Sequence, residues 1–62
     1  MTEKEARKLA ELVKIVCPVC WVEPLEPKFK IVAELENSLP FSVVSYESFL
    51  LFLDYAKSRG KI

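Results

Sequence analysis

Three prolines fall within the eleven residues Cys17 to Pro27, at positions 18, 24 and 27, and they divide the chain into parts that must fold differently. Each proline fixes its own φ, removes a backbone donor and disfavours helical geometry in the residue before it. No helix can run through this stretch. Helical periodicity must therefore end before Pro18 and cannot resume until after Pro27. Glu23-Pro24-Leu25-Glu26-Pro27 reads as a stiff extended connector over positions 17–27, with a short extended piece at Val19 to Val22. The Pro24/Pro27 spacing matches PxxP ligands, but a rigid linker is the plainer reading.

Before that break, Ala6, Leu9, Ala10, Val13 and Val16 recur at helical spacing, while Lys4, Lys8, Glu11 and Lys14 take the wet side. Thr2-Glu3-Lys4-Glu5 is a capping-box signature, so the spacing predicts a helix over 2–16. After the break, Lys28 to Glu36 alternates, with Phe29, Ile31, Ala33 and Leu35 on one face, and a strand is expected over 28–36. Asn37-Ser38-Leu39-Pro40 reads as a turn, and residues 41–45 return as a second strand. Ser45 is the expected N-cap of a last helix over 46–59, with Gly60 just beyond its end. The fold class that follows is α+β: a single α-β-β-α domain over 1–62, an antiparallel hairpin covered by two helices.

Sixty-two residues bury a small core, yet 52% of the chain is hydrophobic. The last helix carries apolar residues on more than one side, among them Leu51, Phe52 and Tyr55, so a second subunit is expected to cover part of it. The outward face of the first strand offers another route. Lys28, Lys30, Val32, Glu34 and Glu36 run from basic to acidic. An antiparallel second copy centred on Val32 would pair Lys28 with Glu36 and Lys30 with Glu34. A homodimer with a continuous four-stranded sheet is the expectation.

Composition removes several functions. Nine Lys and Arg balance nine Asp and Glu, so the basic excess of a general nucleic-acid binder is missing. There is no histidine to activate a serine or ligate a metal, and the single glycine, Gly60, excludes a glycine-rich phosphate loop. Eight of the nine acids are Glu and seven of the nine bases are Lys, a thermophile-like balance. The charged start Met1 to Glu5 has no apolar signal core, and no apolar run is long enough to cross a bilayer. A cytoplasmic protein without membrane partners is expected.

The remaining chemistry sits in Cys17-Pro18-Val19-Cys20-Trp21. Over these four residues Cys17 to Cys20 resembles the zinc-hook motif that caps two coiled-coil arms. That resemblance implies zinc shared between two chains through both cysteines, although Trp21-Val22-Glu23-Pro24 cannot begin a returning helix. The same motif is similar to that of glutaredoxin-like proteins, which implies a redox dithiol. Those proteins place the motif at a helix N-terminus, whereas here a helix precedes it. A local disulfide and two buried thiols are the structural alternatives. Trp21 reads as a core or interface anchor. The function expected is a non-enzymatic, self-associating module that binds a protein partner or serves as a subunit. The cofactor expected is none, or zinc shared between two chains. A thiol redox protein and a small dimeric nucleic-acid regulator are the alternatives.

Overall fold

The computed structural model describes residues 1–35 and 39–62. Among these residues five elements follow one another: α1 (Glu3–Val16), β1 (Cys20–Leu25), β2 (Lys28–Ala33), β3 (Phe41–Val43) and α2 (Tyr46–Ser58). The three strands form one antiparallel sheet in the order β1-β2-β3. The α+β class expected from sequence is the class observed. The sheet has one strand more than expected.

That extra strand is the proline-rich connector. β1 pairs with β2 along its whole length, from Cys20 opposite Ala33 to Leu25 opposite Lys28, across a two-residue turn at Glu26-Pro27, whose peptide bond is cis. The bonding pattern shows how a strand tolerates Pro24. The Glu34 amide donates to Val19 O at 2.9 Å, so Val19–Glu34 is a hydrogen-bonded pair in this register. Bonded and non-bonded pairs alternate along an antiparallel ladder. Trp21–Val32, Glu23–Lys30 and Leu25–Lys28 are therefore the bonded pairs. Cys20, Val22 and Pro24 turn their backbone groups to the outer edge. The amide that Pro24 lacks is one the ladder never uses.

Both helices begin where the sequence indicated. At α1 the Glu5 amide donates to Thr2 Oγ1 (3.2 Å) and the Thr2 amide to Glu5 Oε1 (3.1 Å), the reciprocal capping box. At α2 the Ser48 amide donates to Ser45 Oγ, while the Val44 and Ser45 amides both donate to Ser48 Oγ at 2.9 Å. Capturing the Val44 amide in this cap ends β3 at Val43, short of the expected 45. Gly60, at φ 73°, sits in the left-handed region just past the Arg59 C-cap. The first expected strand also stops early, at Ala33. Its last expected residue, Glu36, lies outside the described residues, as do Asn37 and Ser38 of the expected turn at 37–40.

Residues opposite one another in the ladder share a face. Cys20, Val22, Pro24, Phe29, Ile31, Ala33, Phe41 and Val43 form the face on which both helices pack, α1 over β1 and β2, α2 over β3. The core lies between them: Ala6, Ala10 and Val13 of α1, Ile31, Ala33, Leu35 and Val43 beneath, and Phe49, Phe52 and Ala56 of α2. Phe41 meets Phe52 edge-to-face at 5.6 Å and stacks on Tyr55 at 5.6 Å. The opposite face, with Trp21, Glu23, Lys30, Val32 and Ser42, has no layer over it among the described residues.

Candidate functional site

Cys17 is the C-cap of α1. Pro18 forbids another helical turn, so the chain leaves Cys17 extended (φ −135°, ψ 101°), its amide still donating to Val13 O at 2.7 Å. The side chain turns inward. It is 1% exposed, with Sγ 3.3 Å from Val19 O and 3.2 Å from Glu34 O. This thiol links the end of α1 to Val19, just before β1, and to Glu34, just after β2.

Cys20 opens β1 on the helix-facing side and is half-buried, its sulfur 4.0 Å from Ala10 O. Burial pushes the Cys20 thiol up from its ordinary value, with Cys17 adding to the rise and Lys14 opposing it. An attacking thiol needs the reverse shift. Both cysteines stand as free thiols. Among the described residues, no group of three or more His, Cys, Asp or Glu side chains is placed to hold a metal ion. One chain thus contributes two thiols at most. A zinc shared between chains would require Cys17 to leave its buried position and both carbonyl contacts.

The uncovered sheet face holds a second cluster. Trp21 Nε1 donates to Glu23 Oε1 at 2.8 Å, and Lys30 Nζ lies 3.8 Å from Glu23 Oε2. Val32 is buried although it belongs to this face, lying between Trp21 and Ser42 in the register. Trp21 therefore belongs to this face by register and is 39% exposed, outside the core cluster. Reading β1 as a linker concealed this cluster. The i, i+2 spacing of Trp21 and Glu23 would have placed them on one face had the segment been taken as a strand.

The residues expected at a dimer contact are scattered by the fold. Phe52 is 0% exposed and belongs to the chain's own core, so it is not an interface residue. Tyr55 is half-buried against Phe41, with the Arg59 guanidinium 5.9 Å from its ring centroid, whereas Leu51 is 62% exposed. Lys28 and Glu34 are exposed and Lys30 is engaged by Glu23. The expected pairing of two copies about Val32 meets a steric fact: β2 is the central strand. β1 occupies one of its edges and β3 the other along Ile31 to Ala33, and at Phe29 the second edge is filled by Met1. The Phe29 amide donates to Met1 O at 2.8 Å, and the Met1 amine donates to Phe29 O and Val44 O. A second β2 has no edge to join.

Other surface features are shallow. A cleft of about 590 Å³ between α1 and the start of α2 is walled by Met1, Leu9, Val44 and Tyr46, with Glu5, Lys8 and Lys28 at its rim. A second, of about 520 Å³, runs between α1 and the outer edge of β1. No helix among the described residues is long and apolar enough to cross a membrane. Comparison of the chain with protein families, with curated proteins and with solved structures finds no match to any of them.

Proposed function

We propose that this chain is a small, non-enzymatic module that works by associating with a second copy of itself. One observation carries the reading: a single-layer sheet with helices on one face only, in a chain whose large apolar side chains exceed what its own core encloses. Ile15 is 80% exposed and Leu51 62%, and Leu12, Tyr46, Leu50 and Trp21 join them at the surface. A body of this size gains much of its stability from a partner when it lacks staples. The cysteines support the same reading. One is enclosed at a helix–sheet junction, and the other is shifted away from reactivity by burial.

The test is native mass spectrometry together with light scattering over a dilution series, in reductant, with and without chelator. A dimer that dissociates on dilution and ignores chelator is the expected result. A monomer at every concentration refutes the proposal. A dimer lost on chelation would transfer assembly to a metal clamp at Cys17 and Cys20.

A further inference from the structure

We infer that the second copy docks through the outer edge of β1, the two β1 strands pairing antiparallel about a two-fold axis at Val22, so that two three-stranded sheets become one of six strands. This rests on the self-association proposed above and names its surface. Sheet order leaves two edges open. The β3 edge is blunt: the strand has three residues, Ser42 alone turns outward in the alternation, and the Val44 amide and carbonyl are engaged by Ser48 and Met1. The β1 edge is longer. Cys20 and Val22 present an amide and a carbonyl each, and Pro24 a carbonyl, with no described residue hydrogen-bonded beyond them. Such a row of unpaired groups is a template for another strand.

The edge is complementary to itself. With the axis at Val22, the two Val22 residues exchange amide–carbonyl bonds, and each Cys20 amide reaches the carbonyl of Pro24 in the second copy. The missing Pro24 amide removes one bond at each end and leaves the centre whole. On the uncovered face, Trp21 of each copy lies opposite Glu23 of the other, a carboxylate that already accepts from an indole N–H within its own chain. On the helix-facing side the contacts are Val22 with Val22 and Cys20 with Pro24, apolar throughout.

The helices fit as well. Because α1 lies over both β1 and β2, strands about 4.8 Å apart place its axis roughly 2.4 Å inside β1. The two α1 helices then come to lie about 10 Å from each other, the separation of packed helices. The space each would fill exists as the cleft between α1 and the β1 edge, whose α1 wall is Arg7, Ala10, Glu11 and Lys14, with both signs of charge around a small residue.

The full chain is used for the test. Hydrogen exchange followed by NMR at dimer-forming concentration reads the Cys20 and Val22 amides, which face solvent in one copy and are bonded in the pair. Protection of both that disappears on dilution is expected. Val22→Pro removes the central donors and should leave a folded monomer. Pro24→Ala restores a donor at each end and should tighten the dimer on the order of tenfold. If Val22→Pro fails to fold, exchange and Pro24→Ala decide the matter. A dimer whose Cys20 and Val22 amides exchange freely, or whose affinity Pro24→Ala does not raise, overturns this interface while leaving self-association standing. A wild-type monomer at all concentrations overturns both.

Discussion

Replacing Phe52 separates a core position from an interface position, because sequence periodicity allows both. Its ring is fully enclosed and meets Phe41 edge-to-face at 5.6 Å and 62°. Truncating an enclosed Phe to Ala removes about 3–5 kcal/mol, a figure that includes the transfer and cavity terms. A domain of 62 residues has a total stability of roughly 3–9 kcal/mol at the usual per-residue values. Phe52→Ala should therefore bring the protein close to unfolding at room temperature. Phe52→Leu keeps most of the volume, should lose about 1–1.5 kcal/mol, and lowers the melting temperature by roughly 5–12 °C. Urea unfolding followed by circular dichroism, at two protein concentrations, measures this. A core residue gives the same loss at both concentrations, since nothing about it depends on a partner. Leu51→Ala, on the exposed side of α2, should change monomer stability by no more than about 0.5 kcal/mol. If Phe52→Ala loses less than about 1 kcal/mol, against the core expectation, or if its loss disappears on dilution, the packing of α2 described above is wrong.

Two further outcomes follow from local chemistry. Hydrogen bonds to the Thr2 backbone first, and to its side chain second, hold the Glu5 carboxyl below the usual carboxylate range. A lowered folded pKa adds stability above the ordinary carboxylate pKa, and that contribution disappears as pH falls through the folded value. Glu5→Gln should accordingly show a shallower acid limb in urea midpoints measured from neutral to strongly acid pH, and superimposable limbs would refute the coupling. Burial raises the Cys20 thiol, so iodoacetamide should modify it more slowly at neutral pH than it modifies an unstructured cysteine peptide, with a rate still climbing at alkaline pH. Cys17 should react only on unfolding. Rapid neutral modification of either thiol, read by mass spectrometry, would reinstate the redox alternative.

Local signals in the sequence were enough to identify the helices. Thr2 and Ser45 have side chains that satisfy orphan amides within three residues, and Pro18 and Gly60 mark their ends through backbone geometry alone. The alternation through Phe29, Ile31 and Ala33 likewise identified the central strand and its buried face. These determinants act over a few residues, so a linear reading captures them, and the α+β class with its helices on one side of the sheet follows. What lay beyond that reading depends on partners distant in sequence. Proline at 24 is compatible with a strand only if its missing amide points away from the ladder, and the bond between Glu34 and Val19 decides which way it points. Once β1 forms, β2 becomes central and loses the edge that the charges of Lys28 to Glu36 had suggested for self-pairing. Trp21 and Glu23 move from a linker to an uncovered sheet face. Of the apolar sides of α2, the one bearing Phe52 goes to the core because Phe41 and Val43 lie beneath it, and the one bearing Leu51 is left outside. Periodicity states that a face is apolar. Which neighbour covers that face is settled only when strands far apart in sequence take their order.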